Sequence, residues 1–322
     1  MTTSIAQRPL GRTGILVSPL ALGGNVFGWT ADLQQSFALL DAFVDAGFNL
    51  IDTADAYVRF IPGYQGGESE SVIGEWLAQR GPAMRARVVI ATKVGLEMGS
   101  GESGLSRAYI HRAIDRSLQR LRTDHVDLYQ AHRDDPATPL EETAQAFDEL
   151  VRAGKVRAIG ASNFSADRLA AALQTSERLG LARYQSLQPL YNLLQRDGFE
   201  SGLAQLCVRE QLAVLPHSAL ASGFLTGKYR RSEDLGKSVR GARMGALLDA
   251  RGLGILEALD RVAIARQTTP SAVALAWLLA RGVTAPIASA TNPQQLAEIL
   301  RGASLQLDAG EVASLDAASA TA

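Results

Sequence analysis

Four side chains that could together move a proton recur at regular intervals in this chain. Asp52 closes the apolar run FNLID, and Tyr57 follows it in DTADAY. Lys93 closes VVIATK, and His132 closes VDLYQAH. From Asp52 to Lys93 is 41 residues, and from Lys93 to His132 is 39. A tyrosine, with an ordinary pKa near ~10, is a poor acid at neutral pH. An ammonium beside it favours the phenolate and lowers that pKa. A carboxylate beside the lysine keeps the lysine charged and fixed, and a histidine opposite can orient a carbonyl oxygen. The set reads as a tuned proton donor for a carbonyl that receives a hydride. None of these side chains can supply the hydride, so a cofactor must. Lys93 is the most telling member, because the chain has four lysines in all and this one ends a β-rich run, where a charge is costly unless paired or used. His111, on a helix face, and His125, in a turn, read as structural.

Side chains spaced in this way must be gathered by repeating elements. Apolar runs at 18–23, 48–52, 88–93, 126–132, 156–162, 184–188, 212–218 and 283–289 read as strands. Between and after them, helical patterns cover 32–47, 69–80, 106–121, 140–154, 165–180, 198–210, 254–267, 269–282 and 292–302. Ser106 suits a helix N-cap, and Pro293 suits a first turn. Unalternating apolar strands fit a parallel sheet covered on both faces. Eight βα units predict a closed (β/α)8 TIM barrel in one domain over 1–322, with its chemistry at the C-terminal strand ends. After the first strand LALGGNVFG does not read as G-x-G-x-x-G, which argues against an open doubly wound sheet. The Gly- and Arg-rich stretch near 219–253 is longer than ordinary loops, as lids and functional segments often are.

Composition narrows the classes of function. The chain has 322 residues with 47% hydrophobic and 20% charged residues, unlike a disordered chain or a coiled coil. A formal charge of −1 gives no broad positive field for nucleic acid. No apolar run approaches the ~20 residues that span a bilayer, and the N-terminus has no secretory h-region. The single cysteine, Cys207, cannot form an internal disulfide and suits a reducing compartment. The expectation is a cytoplasmic protein acting on a small molecule, with neither nucleic acid nor membrane as partner. The histidines show no metal-ligand spacing such as H-E-x-x-H.

Over nearly its whole length the sequence resembles the aldo-keto reductases. PLGRTGILVSPLALG, DTADAY, GGESE, ATKVG, DLYQAH, GKVRAIGASNFS and LASGFLTGKY stand in that family's order and spacing. The resemblance implies a TIM barrel and NAD(P)H-dependent carbonyl reduction or alcohol oxidation, with Asp52, Tyr57, Lys93 and His132 as the catalytic tetrad and Tyr57 as general acid. It also implies cofactor contacts. Ser162, Asn163 and Gln188 would hold the nicotinamide carboxamide, and His217 takes the place of the usual stacking tyrosine or tryptophan, with a charge that could vary near pH ~6.5. Ser218, Ala219, Leu220, Ser222 and Leu225 would wrap the pyrophosphate, Lys228 would meet phosphate, and Arg240 the adenosine end. Ser289, Thr291, Gln295 and Glu298 match further contact positions.

Many relatives carry Arg or Lys around Thr291 or Gln295, where a 2′-phosphate would be gripped. This chain has neither, although Arg240 or Arg243 could compensate. NADP(H) is therefore the favoured cofactor on family habit, and NAD(H) the alternative. Asn25, Phe27 and Trp29 after strand one, Phe60, Ile61 and Tyr64 after Tyr57, and Arg133 and Asp134 after His132 are the candidates to shape the substrate pocket. The GKY block and long glycine-containing segment resemble the subset that includes potassium-channel β-subunits and bacterial general aldehyde or sugar reductases. Two other readings compete: a catalytically slow NADP(H)-loaded sensor or channel partner, and a Schiff-base lyase built on Lys93.

Overall fold

A computed structural model describes residues 5–320. A two-residue antiparallel hairpin, β1 (Arg8–Pro9) and β2 (Leu16–Val17), precedes the main sheet. Eight parallel strands follow: β3 (Ala21–Gly23), β4 (Leu50–Asp52), β5 (Val89–Val94), β6 (Val126–Ala131), β7 (Val156–Ser162), β8 (Tyr184–Gln188), β9 (Ala213–Val214) and β10 (Ile287–Ala288). Their order is β10-β3-β4-β5-β6-β7-β8-β9. The remaining seam closes through the backbone, with Ala285 N–H donating to Val214 O at 3.2 Å and Ile287 N–H to Pro216 O at 2.9 Å. The fold is a (β/α)8 barrel.

Strand alternation sorts the side chains. Ala21, Leu50, Val89, Ala91, Leu128, Ala158, Ala213, Ala285 and Ile287 fill the barrel interior, and Leu10, Ile15 and Val17 of the hairpin region plug its lower end. Ile51, Ile90, Val94, Tyr129, Ile159 and Leu187 point outward into the layer shared with the helices. The next inward positions toward the C-terminal rim are polar: Asp52, Lys93, Gln130, Ser162 and Gln188 are all buried. The fold thus places apolar side chains low in the barrel and polar side chains at its top.

Strands β7 and β8 have the bounds expected from sequence. β9 and β10 are much shorter than the apolar runs 212–218 and 283–289, because Pro216 and Pro286 interrupt those runs and lack the N–H a ladder needs. The helix expected at 198–210 is broken into Asp197–Glu200 and Leu203–Glu210 around Gly202. The helix expected from 254 starts at Ala250, where the Asp249 carboxylate caps Gly252 N–H. A further helix, Ala309–Ser319, lies beyond the one expected to be last, and opens with a capping box between Asp308 and Glu311. The stretch expected as a loop holds three 3-10 segments, Ala221–Thr226, Ser232–Lys237 and Gly241–Leu247.

Candidate active site

The inward ends of β4 and β5 bring Asp52 and Lys93 together. The Lys93 ammonium donates to both Asp52 oxygens at 2.8 Å and to Thr53 O at 2.8 Å. Its remaining contact is Tyr57 Oη at 2.7 Å. The Tyr57 hydroxyl in turn donates to Asp52 Oδ2 at 2.6 Å. Gln188 Nε2, from β8 across the barrel, donates to Asp52 Oδ1 at 2.8 Å and to Gln130 Oε1 at 3.3 Å. Tyr57 reaches this floor because the chain turns straight after β4: Tyr57 N–H bonds to Ala54 O, and Val58 takes a left-handed φ of 61°. The His132 ring faces the Tyr57 ring edge-on at 6.1 Å between centroids. All four residues expected to act together therefore meet at one rim.

The electrostatics depart from the sequence expectation in sign. Burial pushes the Tyr57 phenol well above its ordinary pKa, and the Asp52 carboxylate it bonds pushes it further. The expectation of a phenol already lowered by the ammonium counted Asp52 as the partner of Lys93 alone, whereas its carboxylate also accepts from the phenol. Lys93 is likewise pulled down by burial, with Asp52 opposing that pull. At rest the proton stays on the phenol. Burial, then the charge of Lys93, holds His132 well below the usual histidine range, so its ring is neutral, and its buried Nδ1 has no hydrogen-bond partner.

A cleft of about 780 Å³ runs from Tyr57 and His132 toward the helix Pro293–Ser304. Ser162 Oγ donates to Gln188 O at 2.9 Å, and Asn163, at a left-handed φ of 55°, donates to His132 O at 2.9 Å. His217 Nε2 lies 3.0 Å from Asn163 Oδ1. Burial, then Lys93, pushes His217 down to about 4, so its charge does not vary near pH ~6.5 as expected for a solvated ring. Ser218, Ala219, Leu220 and Ser222 line the middle of the cleft, and Ser218, Ala221 and Ser222 all have positive φ. The Ala221 and Gly223 amides are taken up inside this turn, donating to Ser218 O at 2.7 Å and Leu220 O at 2.8 Å. Lys228 and Arg240 line the outer part, and no carboxylate pairs with either among the described residues. Arg240 lies over the Trp29 ring at 5.2 Å. Thr291 N–H and Oγ1 both bond to Gln295 Oε1, and Ser289 Oγ donates to Asn25 Oδ1 at 2.7 Å. Glu298, also in the lining, is 3.4 Å from Ser271 Oγ.

Several expected positions fall elsewhere. Phe27 is fully buried in the outer core, because the chain after β3 turns back on Gly24 O and carries the ring under it. Leu225 is also fully buried and does not line the cleft. Trp29 is half-buried against Arg240 rather than on the cleft wall, and Asn25 joins the cleft beside Ser289. Phe60 is 71% exposed and Tyr64 half-buried, both outside the cleft. Asp134 is held by a bidentate pair with Arg168 at 2.7 and 2.8 Å. Sequence reading missed Gln130 on the site floor, although it falls on the inward period of β6 between Leu128 and His132. It also missed Thr30, Ser238 and Asn292 in the cleft wall.

The sequence pattern of the Aldo/keto reductase family matches residues 19–320. The chain belongs to this family. It is 36% identical over 306 residues to an uncharacterized oxidoreductase, YrpG, of Bacillus subtilis, covering 93% of this chain and 91% of that one. It is 35% identical over 303 residues to the 6-dehydroglucose reductase of Novosphingobium aromaticivorans, covering 92% and 89%. It is 34% identical over 307 residues to a putative voltage-gated potassium channel subunit beta of Schizosaccharomyces pombe, covering 92% and 87%. This aldo-keto reductase is an oxidoreductase of a family that generally uses NAD(P)H. Among the described residues no helix is long and apolar enough to cross a membrane.

Proposed function

We propose that this aldo-keto reductase passes a hydride between NADP(H) and a carbonyl or alcohol substrate (an aldehyde, a ketone or a sugar), with Tyr57 as general acid and base. The observation that carries the reading is the 2.7 Å contact from Lys93 to Tyr57 Oη, at the end of a polar cleft. The cleft suits a dinucleotide: it has left-handed turns at Ser218–Ser222, the cations Lys228 and Arg240 with no carboxylate partner among the described residues, and side-chain amides at Asn163 and Gln188 near Tyr57. When bound, the nicotinamide supplies the hydride.

The protein's own groups do the rest. In reduction, neutral His132 donates a hydrogen bond that orients the substrate oxygen, and Tyr57 gives that oxygen its proton. The phenolate left behind rests 2.7 Å from the Lys93 ammonium, which stabilises it as charge develops. Asp52 keeps the ammonium in place, and Gln188 keeps Asp52 in place. In oxidation the same phenolate takes the alcohol proton. Arg240, the cation over Trp29, stands in for the missing basic residue at Thr291 or Gln295, which supports NADP(H) over NAD(H).

Absorbance at the nicotinamide band, across a panel of carbonyls and alcohols with each nucleotide, tests the reading. Turnover of at least one carbonyl with a lower KM for NADPH is expected. A preference for NADH would overturn the cofactor assignment. Tight NADPH binding with no oxidation by any carbonyl would favour the sensor reading.

A further inference from the structure

Against β5 at Thr92 and Lys93, where Asp55 N–H donates to Lys93 O at 3.4 Å, lies a second, largely buried polar group drawn from four elements, none of it in the cleft lining. Asp55 follows β4, Glu70 comes from the helix Glu68–Arg80, and Arg120 and Tyr109 from the helix Arg107–Leu121. Tyr129, on β6, completes the set. Asp55 is 1% exposed and Glu70 and Lys93 are fully buried. Glu70 accepts from Thr92 Oγ1 at 2.5 Å and from Arg120 Nε at 2.7 Å. Asp52 accepts from Lys93, Tyr57 and Gln188. Asp55 differs from both, since neither of its buried oxygens has a hydrogen-bond partner. The Ala56 N–H is near enough to favour its carboxylate slightly, but makes no hydrogen bond of normal geometry.

Charge counting then singles out one carboxyl. Asp52, Asp55 and Glu70 face the cations Lys93 and Arg120, and both cations already have a hydrogen-bonded carboxylate. A third buried carboxylate would be unpaired and unsolvated, which costs several kcal/mol, and such groups take up a proton instead. We propose that Asp55 is a positioning residue, a neutral carboxylic acid near Lys93 that leaves the ammonium committed to Asp52 and Tyr57. The role rests on the assignment of Tyr57 and Lys93 given above. Burial and the neighbouring Glu70 both push the Asp55 carboxyl well above its usual range, outweighing Arg120 and Lys93. When Tyr57 yields its proton, a phenolate joins the carboxylates of Asp52 and Glu70. An ionised Asp55 would add one more negative charge and make that phenolate harder to form.

Infrared difference spectra of the full-length protein test the protonation state. The wild type at neutral pH should show the carbonyl stretch of a protonated carboxylic acid, shifted in heavy water and lost in Asp55→Asn. Glu70→Gln should lose the same band with Asp55 intact, because Arg120 is then free to pair with an ionised Asp55. Absence of the band in the wild type, or its survival in Asp55→Asn, would overturn the proposal. The pH profile of kcat for reduction tests the link to Tyr57. Asp55→Asn should carry the alkaline limb downward by about half a unit or more, since no negative charge can then appear near Lys93 to hold the proton on Tyr57. Superimposable profiles would overturn the positioning role. The infrared band needs no turnover, so it can be read even if Tyr57 proves not to be the acid.

Discussion

The two ends of the cleft are built on opposite plans. At the barrel end, the Lys93 ammonium is bonded to Asp52, Thr53 O and Tyr57, and Asp52 accepts from three side chains. At the outer end, Lys228 and Arg240 have aromatic neighbours, Tyr229 and Trp29, but no carboxylate partner among the described residues. The inner set is organised before anything binds, and its groups need no rearrangement when charge develops on a substrate oxygen. The outer cations have no such pairing among the described residues, and in the proposed reading their energy is realised on binding of the nucleotide phosphates. Damage to the inner end should therefore appear in rate and stability, and damage to the outer end in affinity.

The largest effect that would break this contrast is expected at Lys93. Lys93→Met leaves Asp52 buried without its cation, and should cost about 3–5 kcal/mol in urea unfolding. The same change should lower kcat by roughly 10²–10⁴, because the phenolate loses its stabilising charge. A variant with normal stability and turnover would show that the inner cluster is not preorganised around this ammonium. At the outer end, Arg240→Gln should raise the KM for NADPH by about 10–100-fold, the range of a lost charge-assisted hydrogen bond. KM for NADH should move much less, and the NADPH effect should shrink as salt rises. Equal losses for the two nucleotides would remove Arg240 from the 2′-phosphate.

The smallest expected effect sharpens the comparison at the point where the ends meet. His217 has a pKa of about 4 in the folded chain, against roughly 6.5 unfolded. Below that upper value the unfolded chain binds a proton that the folded chain refuses. Stability should therefore be complete at neutral pH, fall as pH drops from ~6.5 toward about 4, and level off below it. His217→Gln should flatten that segment by about 2 kcal/mol, less than the roughly 3 kcal/mol of the full gap because the ring is only partly buried, measured from denaturant midpoints across the range. An unchanged slope would mean that His217 is solvated rather than enclosed beside Asn163.

Much of the site was legible in sequence because barrel strands alternate strictly. Residues at the inward ends of consecutive βα units must share a rim, and Asp52, Lys93 and His132 did. What escaped depended on side-chain direction or on partners far apart in the chain. Phe27 follows strand one as a pocket residue would, but one backbone turn buries its ring. The sign of the Tyr57 shift required knowing that Asp52 touches the phenol as well as the lysine. Asp55, Glu70 and Arg120 stand in three separate segments, and no spacing rule joins them. Pro216 and Pro286 were visible in the sequence, and their missing N–H groups explain why β9 and β10 shrink to two residues each.

The central claim is that the Tyr57 hydroxyl delivers the proton while Lys93 steadies the anion it leaves. Single-turnover oxidation of bound NADPH by a reactive aldehyde, compared between wild type and Tyr57→Phe, tests it most directly. The phenylalanine variant keeps the ring and loses the proton. The account predicts that its chemical step slows by roughly 10²–10⁴ while NADPH affinity, followed by fluorescence, stays within about twofold. A variant that oxidises NADPH at near wild-type speed would contradict it.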